Sequence, residues 1–151
     1  MAATHHYEAH LAWRKGGEGV AATNHTVAFA GRPALEVSAA PEYRGDPTRL
    51  NPEELFVASL ASCQALTYLV LAGRGGVDVV AYEDRARGTL TIRDKKMRMV
   101  EVVLRPCITL ALGTDEAKAR ALVDAAHDGC FIANSVACEV KVEAELVVAS
   151  A

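Results

Sequence analysis

A run of 18 residues without a charge, Leu55 to Ala72, lies in the middle of this 151-residue chain, directly behind Asn51-Pro52-Glu53-Glu54. The four leading residues are a strong helix start. Asn51 suits the cap, Pro52 the first helical position, and the glutamates complement the positive end of the helix dipole. Glu54, three beyond Asn51, can close a capping box. The helix is expected to run to about Ala72, with Gly73 as a left-handed stop. Eighteen apolar residues approach the minimum for a membrane span. Ser59, Ser62, Cys63, Gln64 and Thr67 interrupt the run, however, and the rest of the chain alternates as half-buried strands do. A helix buried at the centre of a globular domain is the better reading, with no membrane partner.

Around that helix the elements read in a clear order. Residues 6–14 alternate with Tyr7, Ala9, Leu11 and Trp13 on one face, the period of a strand. Gly16-Gly17 and Gly19 mark a turn. Val20 to Phe29 and Ala34 to Ala39 read as two further strands, and a loop with Arg44 and Arg49 leads to the helix. After it, Val77 to Ile92 and Met99 to Leu110 read as strands, the second kinked by Pro106. A second helix spans Asp115 to Asp128, opened by Thr114 and closed by Gly129, and Cys138 to Val148 ends the chain as a strand. The order βββ-α-ββ-α-β lacks strand–helix alternation, so an α+β fold with a mainly antiparallel sheet is expected. Residues 1–151 read as a single domain, with no repeat or linker.

Sixteen Lys and Arg face nineteen Asp and Glu, a formal charge of −3, and no basic run exceeds Lys95-Lys96. With 5% aromatics as well, neither a phosphate-backbone footprint nor a base-stacking surface is expected, so nucleic acid is not a predicted partner. The N-terminus shows no apolar signal segment. That predicts a cytoplasmic protein whose thiols are reduced unless they act in redox chemistry.

The chemistry rests on few residues. Four cysteines, Cys63, Cys107, Cys130 and Cys138, allow three complete pairings, among which spacing alone does not choose. Cys63 in mid-helix reads first as a small buried hydrophobe. As a nucleophile it needs a cation to lower its pKa, and none lies in the uncharged run. Cys130, just past Gly129, sits at a backbone break where a thiol can be presented. Cysteines on two separate helical segments suit a pair that closes reversibly. Cys107 and Cys138 fall in strands and read as structural.

Glu53 and Glu54 are ordinary helix-start residues, or else one of them fixes an arginine. Arg44 and Arg49 lie just upstream, and a guanidinium can hold a thiolate and a carboxylate at once. His127, three before Cys130, leaves a cysteine hydrolase open as an alternative. A metal site is not expected, since the cysteines lack the paired spacing of zinc ligands.

Taken together these residues resemble a family. Asn51-Pro-Glu-Glu-Leu-Phe-Val-Ala-Ser-Leu-Ala-Ser-Cys63 is similar to the signature of the OsmC/Ohr hydroperoxide-reducing proteins, and Gly129-Cys130-Phe-Ile-Ala-Asn-Ser-Val to the family's second-cysteine segment. Nearly the whole chain is covered by the resemblance. It implies an intertwined homodimer with active sites at the interface. Cys63 would be the peroxidatic cysteine, Cys130 the resolving one, Glu53 the catalytic glutamate and Glu54 its less critical neighbour.

The Ohr branch draws its arginine from the first glycine-rich hairpin, where Arg14 does not fall in register. The OsmC branch uses an arginine shortly before the Asn-Pro-Glu segment, which Arg44 fits best and Arg49 second. The implied activity is reduction of organic hydroperoxides to alcohols, with hydrogen peroxide a lesser substrate and an external dithiol as electron donor. No bound cofactor or metal is expected. The apolar flank of Cys63 (Phe56, Leu60, Leu66) agrees with an organic substrate. A member that binds a small ligand without catalysis is the other alternative. On a straight helix Glu53 and Cys63 lie roughly 15 Å apart along the axis. So an arginine spans part of the gap, the helix is broken, or Glu53 serves a cysteine of the other subunit.

Overall fold

The computed structural model describes residues 3–150. It divides into two compact units, residues 1–55 and 56–151, and the division falls in the first turn of the long helix.

The first unit holds a three-stranded antiparallel sheet, β1 (His10–Trp13), β2 (His25–Ala28) and β3 (Leu35–Val37), in the order β1-β2-β3. Its strands are shorter than the sequence pattern implies. The expected second strand from Val20 opens instead as a 3-10 turn, Gly19–Thr23. Its carbonyl at Ala22 accepts the Trp13 indole N–H at 3.0 Å. Leu11 and Trp13, which share one face of the strand pattern, are exposed in this chain.

The long helix α1 (Pro52–Gly75) begins as its sequence dictates. Asn51 Oδ1 accepts from Glu54 N at 2.9 Å and Asn51 N donates to Glu54 Oε2 at 3.2 Å, a closed capping box. It ends three residues later than expected. Gly76, at φ 69°, supplies the left-handed residue, and Val77 N donates back to Ala72 O at 2.9 Å, the Schellman pattern.

In the second unit, three runs that read as single strands are each broken at one level. Val77 to Ile92 becomes β4 (Val79–Asp84) and β5 (Arg87–Arg93). The next run becomes β6 (Lys96–Leu104) and β7 (Pro106–Leu110), and the last β8 (Glu139–Val142) and β9 (Glu145–Val148). One half of each run enters the sheet β4-β7-β9 and the other the sheet β5-β6-β8.

Polar contacts hold the bend. Arg105 N donates to Asp84 Oδ1 at 2.8 Å, Arg105 Nε meets Glu143 Oε2 at 2.9 Å, and Glu143 N donates to Leu104 O at 2.8 Å. β6 begins at Lys96 rather than Met99 because Asp94 and Lys95 both take left-handed backbone, φ 53° and 62°, and close a two-residue hairpin loop. The final strands pair in parallel, β8 with β6 and β9 with β7, across the crossover helix α2 (Glu116–Asp128). The cap of α2 is Asp115, not Thr114; its side chain accepts from Lys118 N at 2.9 Å.

Helix α1 buries a single i,i+4 row, Leu60, Gln64, Tyr68 and Ala72. Leu60 joins Val102 and Leu104 over one sheet. Tyr68 and Ala72 join Ile108, Leu110, Ala119, Val123 and Ala126 over the other. Gly88 lets the helix approach, since a Cβ there would meet Val57 Cγ2 at 2.6 Å and Met99 Cε at 2.3 Å. The helix is long and apolar enough to cross a membrane by composition alone. It is not buried all round as expected: Leu66, Leu69 and Val70 are exposed.

Candidate active site

Cys63 sits on α1 between the two core clusters, one residue before the buried Gln64. Its carbonyl accepts the Thr67 hydroxyl at 2.8 Å. Gln64 Nε2 donates to Val123 O at 3.2 Å and so ties this turn of α1 to α2.

Cys130 arrives from the end of α2. Gly129 precedes it, and a Cβ at Gly129 would lie 3.5 Å from Thr67 Cγ2 and 3.3 Å from Ala125 O. The turn thus lies against α1 one turn beyond Cys63. Side chains of the same segment wind it. Asn134 Nδ2 donates to Asp128 O at 2.9 Å, Ser135 Oγ donates to Phe131 O at 2.7 Å, and Asn134 N donates to Cys130 O at 3.0 Å.

The two thiols are neighbours, 67 positions apart in sequence, and Cys63 bears on the ionisation of Cys130. Both are reduced. Burial pushes the Cys130 thiol above its ordinary range. The neighbouring Cys63 sulfur adds to this, and the N–H groups of Ala133 and Ile132 partly offset it. Cys138 is also raised by burial and packs in the Leu60 cluster, while Cys107 lies in β7 between Glu83 and Glu145.

His127 reaches Cys130 through the backbone, its carbonyl accepting Cys130 N at 3.1 Å, while its own Nδ1 is buried without a partner among the described residues. Of the three flanking residues expected around Cys63, Leu60 is fully buried in the core and Phe56 packs against it. Leu66 is exposed, as are Phe131 and Ile132 beside Cys130.

The remaining candidates belong to the first unit. Arg44 ends the short 3-10 turn Pro41–Tyr43 in left-handed backbone, φ 62°. That conformation costs a non-glycine residue about 1–2 kcal/mol. The loop around it is tightly built. Gly45 packs so closely that a Cβ would fall 1.6 Å from Ala39 O. The buried Ser38 Oγ accepts from Asp46 N at 3.1 Å, and Asp46 takes Thr48 N, Thr48 Oγ1 and Asn24 Nδ2. Those bonds, the Thr48 hydroxyl first, hold the Asp46 carboxyl below its ordinary range.

Arg49 is committed to Glu36 and to Asp46. Arg44 makes no ion pair among the described residues, and Arg14 is exposed. Glu54 serves the helix cap, whereas Glu53 Oε2 is buried with no hydrogen-bond partner among the described residues. Because α1 is continuous from Pro52 to Gly75, a break between Glu53 and Cys63 is ruled out.

Sequence reading missed Tyr82 and Asp84, whose buried hydroxyl and carboxyl oxygens face the interior from β4. Their period-2 spacing was the available signal.

Comparison with known proteins identifies the family and the fold. The family described as OsmC-like protein matches residues 45–145. An OsmC-like protein of unknown function from Vibrio cholerae is 31% identical, with a TM-score of 0.84 over 95% of this chain and 100% of that one. An organic hydroperoxide resistance protein OsmC from Legionella pneumophila, 22% identical, superposes with a TM-score of 0.72 over 97% and 99% of the two chains. The organic hydroperoxide resistance protein OhrB of Bacillus subtilis, 24% identical, gives 0.64 over 93% and 98%. No curated protein matches the sequence. The chain belongs to the OsmC-like family, and its α+β architecture is that of the OsmC/Ohr proteins.

Proposed function

We propose that this protein is a cysteine-based peroxidase that reduces organic hydroperoxides to alcohols in the cytoplasm, as a homodimer and with an external dithiol as electron donor. The observation that carries the reading is the proximity of Cys63 and Cys130, with Cys130 fully buried and Cys63 more open. In the proposed cycle the Cys63 thiolate attacks the outer peroxide oxygen. The O–O bond breaks, the alcohol leaves with a proton, and Cys63 becomes a sulfenic acid. Cys130 then displaces water from it to form a disulfide. A dithiol restores both thiols by exchange and is itself oxidised to a disulfide. The mechanism calls on no metal or bound cofactor.

Arg44 supplies the cation that favours the Cys63 thiolate, with Glu53 holding its guanidinium. Support for this pair comes from what each lacks: Glu53 has a buried, unpartnered oxygen, and Arg44 has no ion pair among the described residues. With α1 unbroken, two arrangements remain: the arginine spans part of the gap to Cys63, or the pair serves the cysteine of the partner subunit. The exposed Leu66, Phe131 and Ile132 next to the thiols favour an organic over an inorganic peroxide. Consumption of cumene hydroperoxide with a dithiol present should be rapid in the wild type and absent in Cys63→Ser. Equal turnover in the two would overturn the reading.

A further inference from the structure

Among the described residues, two side-chain hydrogen bonds cross from α1 to α2: Gln64 Nε2 donates to Val123 O at 3.2 Å, and Tyr68 Oη donates to Ala119 O at 3.3 Å. The donors stand four apart on α1 and the acceptors four apart on α2, so each pair shares one face of its helix. The Tyr68 tie holds the N-terminal end of α2. The Gln64 tie holds its middle, roughly 6 Å further along the axis. Beyond it come His127, whose carbonyl accepts Cys130 N at 3.1 Å, and Gly129, which lies against Thr67. Gln64 is the tie nearer to both thiols. It follows Cys63 directly in α1, and its acceptor lies one turn before His127.

Packing alone does not require a glutamine at this position. Gln64 is 1% exposed and shares its buried row with Leu60, Tyr68 and Ala72. Its bond to a carbonyl fixes which end of the amide is the donor, so Oε1 is the atom left over, buried with no partner among the described residues. Val123 O lies within α2, where a carbonyl also accepts the N–H four residues on. Replacing the glutamine with an apolar side chain therefore orphans no group on α2 and removes a buried acceptor that lowers stability. What the amide adds is direction. Apolar contacts between helices hold in many slightly shifted arrangements, whereas a hydrogen bond weakens steeply as donor and acceptor misalign.

We propose that Gln64 is a positioning residue for the thiol pair: its amide pins the middle of α2 to the turn of α1 that carries Cys63 and so holds Cys130 where the two sulfurs can bond. The inference rests on reading Cys63 and Cys130 as a redox pair and adds the group that sets their relative placement. Without the Gln64 tie, α2 pivots about the Tyr68–Ala119 bond near its start. The displacement is then largest at its C-terminal end, where Cys130 follows. A disulfide demands a sulfur separation of about 2.05 Å and a narrow range of dihedral angle, so a small swing at that end depletes the population able to close.

The test is thiol–disulfide exchange with glutathione on a full-length parent protein carrying Cys107→Ser and Cys138→Ser. Oxidised glutathione takes two electrons and two protons from Cys63 and Cys130, which leaves the protein bridge and two reduced glutathiones. The glutathione mixture at which bridged and dithiol protein are equal gives the effective concentration of one thiol at the other. Gln64→Met keeps the length of the side chain without the donor. It should lower that concentration about tenfold, the effect of one ordinary hydrogen bond, and should melt no lower than the parent. Gln64→Leu should lower it in the same direction. Tyr68→Phe removes a like bond one turn further from the thiols and should change it by less than about twofold. An unchanged effective concentration in both Gln64 variants overturns the proposal, as does an equal fall in Tyr68→Phe. A fall found only together with a lowered melting temperature is loss of packing and overturns it too. A parent that forms no Cys63–Cys130 bridge overturns the redox pair and the proposal with it. No peroxide enters the measurement. A tenfold fall in a protein that turns over no peroxide would support the positioning role and sink only the peroxidase reading.

Discussion

Cys63 and Cys130 are neighbours, yet Cys130 is only 1% exposed while Cys63 is partly exposed. This asymmetry orders the chemistry. A peroxide can approach Cys63 but reaches Cys130 only through structural opening. One equivalent of cumene hydroperoxide should yield a Cys63–Cys130 bridge by mass spectrometry. In Cys130→Ser the sulfenic acid should persist at Cys63 or over-oxidise. A dominant bridge through Cys107 or Cys138 would refute the assignment.

The capping box predicts a measurable cost. Asn51 is buried, and its side chain satisfies Glu54 N while Glu54 returns the bond. Asn51→Ala should lower stability by about 1 kcal/mol, a fall of roughly 2–4 °C in Tm for a domain of this size. Glu54→Gln, which keeps the acceptor, should cost less than Glu54→Ala.

What could be read from sequence was local. Asn51, Pro52 and Glu54 announce the helix because capping involves side chains within one turn. Gly129 marks the end of α2, and Pro106 marks a kink, because each alters its own backbone. The sheet-to-sheet bend at Arg85-Ala86 and at Glu143-Ala144 carries no such residue. It is held by Asp84, Arg105 and Glu143, three polar side chains that look like ordinary surface charges until the strands are paired. Asp94-Lys95 lacks the glycine that usually signals a two-residue hairpin loop. The proximity of Cys63 and Cys130 is tertiary, so spacing alone left three pairings open; their place on two helical segments favoured this pair, and resemblance to a family gave each thiol its role. The exposed row Leu66, Leu69 and Val70 misled for another reason: apolarity all round reports burial somewhere, not burial within one chain.

Asp84 gives a pH signature. Burial, the largest effect, pushes its carboxyl above the ordinary range, partly offset by the Arg105 N–H and guanidinium. A raised carboxyl contributes stability that is complete below the unfolded value near pH 4 and is lost as pH rises through the folded pKa. Asp84→Asn keeps an acceptor for Arg105 N and cannot ionise. Its stability relative to wild type should therefore improve between pH 3.5 and 7, read as urea midpoints at both values. A relative gain largest at pH 3.5 would contradict the assignment.

The exposed apolar row of α1 bears on assembly. Leu66 is 62% exposed and Val70 51%, about one and two turns beyond Cys63 on a helix without charge from Leu55 until Arg74. Light scattering at micromolar concentration should give roughly 32 kDa, twice the chain mass of 16.0 kDa. Leu66→Glu with Val70→Glu should return it toward the single-chain mass, and peroxide turnover should fall with it. A wild-type mass of one chain would refute the dimer.

The arginine is the last and most discriminating test. A thiol with an ordinary pKa near 8.5 is only a few per cent ionised at pH 7, so a peroxidatic Cys63 needs a cation. Arg49 is engaged by Glu36 and Asp46. Its loss should lower stability by under about 1 kcal/mol, as for exposed pairs, and leave the thiol unmoved. Arg14→Ala should do little to either. Arg44 is different: it occupies left-handed backbone beside a glycine that admits no Cβ, strain of the kind that concentrates at functional positions. Arg44→Gly should relieve that strain and stabilise the fold by up to about 1 kcal/mol. It should also shift the pH midpoint of Cys63 alkylation upward and abolish most peroxide turnover. Arg44→Lys should impair turnover nearly as much as Arg44→Ala, because the ammonium lacks the fork that spans a carboxylate and a thiolate. With the other cysteines changed to serine, alkylation of Cys63 against pH in each arginine variant separates the outcomes. A midpoint raised only in Arg49→Ala or Arg14→Ala moves the role to that residue, and a midpoint unmoved in all of them refutes activation by a cation.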